Sequence, residues 1–307
     1  MTLLAEFVSQ LSSAPVLLLA MLVIAGVETA LPLHARRREN RAHLAPNLAL
    51  TIVTFATNAL LGSGLVALFA ALTSAQIGLL HGLPPLSPLA RTALVVLVLD
   101  LAFYAFHVSS HKVPGFWRFH RVHHSDPALD VSTAFRQHPG EALVRSAFLA
   151  AFGAAIGAPP AAYAAYRSLS ALAAVVEHAN FRLPARIDDA LSLVVTWPNL
   201  HKVHHSREPR FTDSNYGNLF SWWDRLFATF TPARHGARVA YGLDGTDDAA
   251  TQSLRGLLAL PFRRATSPAA TTRAPLRRAC SRVSSTSAAT GTTSTTPARG
   301  GSPRVTA

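Results

Sequence analysis

The sequence predicts an all-α integral membrane protein: a bundle of four to five membrane helices, a histidine-rich helical cap on the cytoplasmic face and a disordered C-terminal tail. Half of the 307 residues are hydrophobic, only 14% are charged and the mean hydropathy is +0.25, which is apolar for a soluble protein. Histidines also recur three and four residues apart, a spacing that places side chains on one helix face. We expect an N-terminal segment over residues 1–14, a membrane domain over 15–262 and the tail over 263–307.

Three long apolar runs predict membrane helices, because each approaches the roughly 20 residues that cross a bilayer core. They cover residues 15–33, 48–72 and 89–106, and the last run contains Asp100. A fourth apolar region, residues 147–176, is interrupted by Pro159-Pro160, so we expect two shorter helices that turn back on themselves. The first of these two helices is short for a complete crossing.

Basic residues in the short loops predict the orientation in the membrane. Arg36, Arg37, Arg38 and Arg41 follow the first run and mark its end as cytoplasmic, whereas residues 74–88 contain no Lys or Arg and should lie outside. This topology brings all the clustered histidines to the cytoplasmic side. Arginine outnumbers lysine 26 to 2, which suggests a GC-rich bacterial genome. We therefore predict a multi-pass protein of a bacterial inner membrane.

The net charge of +12 does not indicate nucleic-acid binding. Residues 263–307 contain eight arginines and no acidic residue, in a background of Ser, Thr, Ala, Pro and Gly. Such a composition predicts a disordered tail that interacts with anionic lipid, and no nucleic-acid motif accompanies it. Cys280 is the only cysteine, so we expect no disulfide and no cysteine-based metal site.

Three histidine clusters predict a metal centre. The second and third clusters repeat the pattern H-[RK]-V-H-H-S almost letter for letter, which indicates a shared role. A single zinc or iron takes about four to six ligands, so eight convergent imidazoles imply two metal ions. The clusters are His107 and His111; His120, His123 and His124; and His201, His204 and His205.

Two further histidines are candidate ligands. His178 ends the returning helix of the predicted hairpin, at the depth expected for the site, and His138 precedes that hairpin. The remaining histidines have no partners at ligand spacing, and we expect them at the surface: His34, His43, His81 and His235.

Several acidic and amide residues are candidates to orient the ligand imidazoles, through hydrogen bonds to the ring nitrogens that do not bind metal. Asp100 shares a helix face with His107 and His111, so it could accept a hydrogen bond from a ligand imidazole. Alternatively, it is neutralised by Arg91 or buried in protonated form. The others could equally cap helices or stabilise loops: Asp126, Asn180, Asp213, Asn215 and Asp224.

Over residues 28–231 the sequence resembles the fatty acid hydroxylase and sterol desaturase superfamily of integral membrane di-iron proteins. The resemblance rests on the three histidine clusters in order, Phe135–Glu141, His178-Ala179-Asn180, Asp213–Asn218 and Trp223–Thr229. Ala228 departs from the glycine that is frequent in the family. The resemblance implies that the three clusters and His178 hold two iron ions, with His138 a possible further ligand.

The same resemblance implies a reaction in which O2 and two electrons oxidise a C–H bond of a membrane lipid or sterol-like substrate. The sequence contains no dinucleotide-binding glycine pattern and no iron-sulfur cysteine cluster. Electrons should therefore come from an external donor such as a ferredoxin or a flavin reductase. No catalytic residue beyond the metal centre is predicted. The helices are nearly uniform in Leu, Ala and Val, which leaves the substrate undefined.

Two alternatives remain. Desaturation, or ring hydroxylation of a carotenoid, would use the same site, because hydroxylation and desaturation begin with the same hydrogen abstraction. A membrane protein that binds or transports metal without catalysis is an alternative of another class. It is disfavoured, because a permeation path needs polar residues at several depths, whereas the histidines here cluster at one end of the predicted helices.

Overall fold

The computed structural model describes residues 3–34, 41–181 and 183–263. Most of the predicted tail, residues 264–307, lies outside the described residues, as do the loop arginines Arg36, Arg37 and Arg38. The described part is helical, without strands, and has two isolated β-bridges, Pro32–Phe181 and Val195–Phe220.

Six helices form the part of the chain that carries the predicted membrane segments and the first two histidine clusters. They are α1 (Leu3–Ala30), α2 (Leu44–Ser74), α3 (Pro88–Lys112), α4 (Pro114–His124), α5 (Pro139–Ile156) and α6 (Pro160–Glu177). Five short helices follow: α7 (Ala185–Leu191), α8 (Pro198–His204), α9 (Pro209–Thr212), α10 (Trp222–Leu226) and α11 (Leu254–Ala259).

Within the described residues, two stretches are long and apolar enough to cross a membrane, Leu44–His81 and Pro88–Lys112. They contain the second and third predicted runs. Helix α1 begins at Leu3, well before the predicted start at residue 15, and continues through Pro15. Its apolar portion, Ala14–Ala30, is shorter than the other two stretches.

The predicted hairpin is present as helices α5 and α6. Helix α5 ends at Gly157, which has φ +74°, and a Cβ there would lie 2.8 Å from the carbonyl oxygen of Ile77. Glycine therefore both adopts the left-handed conformation and allows the close approach of the loop before α3. Pro160 then occupies the first turn of α6, where its missing N–H costs no hydrogen bond.

Helices α2, α3, α5 and α6 pack around one apolar core that includes Phe69, Leu99, Leu149 and Tyr163. Helix α1 packs against α2 and α6. Large apolar side chains on α1 to α3 point outward, among them Leu22, Ile52, Leu60 and Leu89, each more than 70% exposed. An apolar exterior over a packed interior is the arrangement expected for helices that face lipid.

Candidate metal centre

Nine buried histidines converge into two adjoining groups. In each group, the candidate ligand nitrogens all lie within 4.8 Å of one another. Group A contains His107, His111, His120, His124 and His204, and group B contains His123, His178, His201 and His205.

The second and third clusters each contribute to both groups. In the second cluster, His120 and His124 join group A, while His123 joins group B. In the third cluster this division is reversed, because His201 and His205 join group B and His204 joins group A. Residues four apart stack along one face, whereas the residue between them is rotated around the helix. Each of the two repeated clusters therefore supplies histidines to both groups.

Backbone carbonyls fix the tautomers of three of these rings. Nδ1 of His107 lies 2.9 Å from the carbonyl oxygen of Tyr216, Nδ1 of His178 lies 2.7 Å from that of Ala174, and Nδ1 of His204 lies 2.8 Å from that of Ser214. Because a carbonyl only accepts, each Nδ1 carries the proton and donates it. Each Nε2 therefore presents a lone pair to its group.

The spacing of the Nε2 atoms fits a bound cation. Nε2 of His178 lies 3.1 Å from Nε2 of both His123 and His201, and Nε2 of His107 lies 3.1 Å from that of His120. One lone pair cannot satisfy two neighbouring rings by hydrogen bonding. By contrast, two nitrogens about 2.1 Å from one ion and at right angles are about 3.0 Å apart. In addition, the buried Nε2 atoms of His111 and His204 have no hydrogen-bond partner among the described residues.

Burial favours the neutral form of the histidines that lie outside the candidate membrane helices. Burial, with repulsion between neighbouring rings, lowers the pKa of His123, His124, His201 and His205 well below its ordinary value. Burial also lowers the pKa of His178 to about 4 and that of His204 to about 3. Neutral imidazoles are the form that binds a metal ion.

Two carboxylates lie close to the Nδ1 atoms of candidate ligand imidazoles. Oε1 of Glu141 lies 3.2 Å from Nδ1 of His120, and Oδ1 of Asp213 lies 3.5 Å from Nδ1 of His111. Asp213 was a sequence candidate for this position. Glu141 was not, although it lies within the Phe135–Glu141 stretch that carried part of the family resemblance.

Asp224 and Asp100 act through the loop that follows the third cluster. Asp224 accepts hydrogen bonds from the backbone N–H groups of Tyr216 and Gly217, at 2.7 and 2.9 Å, and so fixes the carbonyl that faces His107. Asp100 accepts from the backbone N–H of Leu219 at 3.0 Å and from Nε1 of Trp223 at 2.9 Å. It therefore holds this loop on α3 and makes no described contact with a ligand imidazole.

The other three predicted orienting residues stabilise neighbouring segments. Oδ2 of Asp126 accepts from Nδ2 of Asn47 at 2.7 Å. The backbone N–H of Asn180 donates to Oε1 of Glu28 at 2.7 Å. Nδ2 of Asn215 donates to the carbonyl of Leu200 at 3.1 Å.

His138 lies outside both groups. Its Nδ1 accepts a hydrogen bond of 2.9 Å from the backbone N–H of Gly140, and its ring stacks on Phe119. Its Nε2 lies 3.3 Å from the carbonyl oxygen of Leu258. The structure therefore uses His138 to cap the start of α5.

The expectation that His43 lies at the surface is wrong. His43 is 5% exposed, and its ring nitrogens lie 3.0 Å from Asp126 and 3.6 Å from Asp130. Burial alone would lower the pKa of His43, but the charge and hydrogen bonding of Asp126 outweigh it and raise the pKa to about 10. Because its partners lie far away in the sequence, local spacing gave no signal for this buried ion pair.

Comparison with known proteins supports the resemblance. Residues 92–229 match the fatty acid hydroxylase family. The chain is 34% identical to an alkylglycerol monooxygenase of Caenorhabditis elegans over 47% of this chain and 28% of that protein. It is 27% identical to an ornithine lipid hydroxylase of Rhizobium tropici, over 60% of this chain and 54% of that protein. It is 29% identical to a cholesterol 25-hydroxylase-like protein of Danio rerio, over 45% of this chain and 54% of that protein.

The matched segments span between about a quarter and half of these relatives. No solved structure gave a significant match. The family match includes the first two histidine clusters, His178 and the third cluster. The segment over residues 92–229 is therefore a fatty acid hydroxylase domain, which places that segment in the fatty acid hydroxylase and sterol desaturase superfamily.

Proposed function

We propose that this chain is a membrane-bound di-iron oxidoreductase that hydroxylates a C–H bond of a lipid or sterol-like substrate. The observation that carries the proposal is the convergence of nine buried imidazoles into groups of five and four. The names of the relatives support the reaction class, because they describe a monooxygenase and two hydroxylases.

The donor set of nitrogens suits iron, copper or zinc, and zinc has no redox role. A bound pair of irons would supply the redox chemistry by which O2 is reduced and a C–H bond is oxidised. The reaction balances when one oxygen atom enters the C–H bond and the other leaves as water, with two electrons and two protons supplied. Group A would hold one iron and group B the other.

The protein's own groups prepare the site for this chemistry. The carbonyls of Ala174, Ser214 and Tyr216 select the tautomers of their imidazoles. Glu141, whose Oε1 lies 3.2 Å from Nδ1 of His120, would help to orient that ring. The burial of the nine rings keeps bulk water from the oxidising centre.

We further propose that α1, α2, α3 and the α5–α6 hairpin form the four to five membrane helices, with the histidine-rich short helices as a cap. The metal centre would face the cytoplasm at a bacterial inner membrane, following the loop arginines. The substrate would enter laterally from the leaflet. A soluble ferredoxin or flavin reductase would deliver the electrons.

Comparative lipid mass spectrometry tests the function in a host that expresses either the wild type or His204→Ala. We expect a lipid heavier by one oxygen atom in the wild-type host only. A product lighter by two hydrogen atoms would indicate desaturation. A wild-type host without any new lipid, combined with metal flux in proteoliposomes, would support a metal transporter and contradict the proposal.

A further inference from the structure

A cavity of mixed polar and apolar lining adjoins the metal centre. Part of its wall is formed by ligand histidines of both groups, among them His120 and His178. The space open to the centres of water-sized molecules is about 50 Å³, within about 570 Å³ of unfilled space that includes open solvent. Its lining combines apolar side chains, among them Phe103 and Phe135, with charged and amide side chains: Asn58, Gln137, Arg145, Arg167, Glu177 and Asn218. This lining departs from the uniform Leu, Ala and Val that the helix sequences suggested.

Arg145 is a buried cation whose hydrogen-bond partners are neutral. It is 3% exposed, and it donates from Nη1 to Oε1 of Gln137 and from Nη2 to Oδ1 of Asn58, each at 2.8 Å. The nearby carboxylate of Glu141 lies against His120 instead. A charged side chain inside a membrane bundle is costly and normally serves a ligand or a partner charge.

Two further groups in the cavity lack protein partners. The described residues provide no hydrogen-bond acceptor for the guanidinium of Arg167. Glu177 is 4% exposed, and its buried Oε2 has no hydrogen-bond partner among the described residues. These two residues lie ten positions apart on α6, which is about 15 Å along the helix axis. Near the metal ligands, the cavity therefore presents two cations and a carboxyl oxygen that has no hydrogen-bond partner among the described residues.

We propose that this cavity binds the anionic headgroup of the lipid substrate, a phosphate or a carboxylate, through Arg145 and Arg167. Glu177 then accepts from a hydroxyl or ammonium group of the same headgroup. The inference rests on the proposed hydroxylase function and adds a substrate class to it. Because the cavity is walled by the ligand histidines, the oxidised C–H bond lies within a few bonds of the headgroup and not at the far end of the chain.

Equilibrium binding to the purified, iron-loaded full chain under anaerobic conditions tests the proposal. The probes share one acyl or alkyl chain length: hexadecyl phosphate, hexadecanoate and the uncharged methyl hexadecanoate. We expect at least one anionic probe to bind about tenfold or more tightly than the methyl ester, since hydrogen bonds to charged groups are strong. The tighter of the two anionic probes identifies the headgroup. Equal affinity for all three would overturn the proposal.

Two variants and one control locate the binding group. Arg145→Gln and Arg167→Gln should each weaken the anionic probe about tenfold and leave the methyl ester unchanged. Arg167→Gln removes no described hydrogen bond, so its effect does not depend on a disturbed fold, and iron content verifies folding of both variants. The control is Arg91→Gln, because Arg91 is exposed near the start of α3 and does not line the cavity. Unchanged affinity in both cavity variants would overturn the proposal.

Different results would contradict the headgroup site and the hydroxylase function. Selective binding of an anionic probe without any O2-dependent product would support the headgroup site and contradict the proposed hydroxylase. Conversely, fragmentation mass spectrometry that places the new hydroxyl near the end of the chain would overturn the headgroup site and leave the hydroxylase function intact.

Discussion

Oε1 of Glu141 lies 3.2 Å from Nδ1 of His120. Glu141 belongs to the first turn of α5, and His120 belongs to α4. The contact therefore connects the hairpin that follows the second cluster with a ligand of group A. A carboxylate in this position would help to orient a ligand imidazole.

Replacing this carboxylate should weaken iron binding without unfolding the protein. We expect Glu141→Gln to lower the affinity of group A for iron about 10- to 100-fold. Iron per chain, measured after dialysis against increasing chelator, reports the change. The matched control is Glu208→Gln, because Glu208 is exposed and pairs only with the neighbouring Arg210 among the described contacts of its side chain. Equal iron retention in both variants would disprove the role of Glu141.

His178 and His138 should respond differently to substitution. His178→Ala removes a ring of group B, so the iron content should fall by about one ion per chain. His138→Ala removes a helix cap, so it should retain iron and lose about 1 kcal/mol of unfolding free energy. Elemental analysis and thermal unfolding of the two variants make the comparison. Comparable iron loss in both would show that His138 is also a ligand.

The ion pair of His43 should make stability depend on alkaline pH. Its folded-state pKa of about 10 exceeds its unfolded value of about 6.5. The stabilisation is therefore complete below about pH 6.5 and disappears as the pH rises through about 10. We expect His43→Gln to cost about 3 kcal/mol near neutral pH, because it removes a cation that pairs with two buried carboxylates.

Thermal unfolding of wild type and His43→Gln across this range measures the difference. At acidic pH the pair should persist, because Arg136 and His43 outweigh the burial of Asp126 and lower its pKa to about 2. The stability difference should therefore narrow as the pH rises through about 10. A difference independent of pH would rule out a charged His43.

The proposed orientation can be tested with the single cysteine. Cys280 lies in the tail, which the loop arginines predict to be cytoplasmic. A membrane-impermeant maleimide should therefore label the protein in permeabilised spheroplasts but not in intact ones. Cys280→Ser, which should remain unlabelled in both, controls for reaction at other sites. Labelling of intact spheroplasts would show that Cys280 lies outside the cytoplasm and would contradict the proposed orientation.

The helical framework could be predicted because its signals are local. Apolar runs located α2 and α3, and Pro159-Pro160 located the turn between α5 and α6. Helical spacing placed His107 and His111 on one face, and the structure brings both to group A. The start of α1 at Leu3 was missed, because the apolar run that predicted this helix begins only at residue 15.

The division of each repeated cluster between two groups could not be predicted, because it depends on how α4 and α8 pack in three dimensions. The carbonyls of Ala174, Ser214 and Tyr216 also left no signal, since any residue supplies a carbonyl. His43 and its partner Asp126 are 83 residues apart, so only the fold could reveal their pairing.

The most direct test of the central claim is turnover by purified protein with heavy-isotope dioxygen. The protein is loaded with iron, placed in nanodiscs made from host lipids and supplied with a ferredoxin and its reductase. We expect about two irons per chain and a hydroxylated lipid that carries one oxygen atom from dioxygen. A lipid product that forms without iron, or whose new oxygen comes from water, would contradict the account.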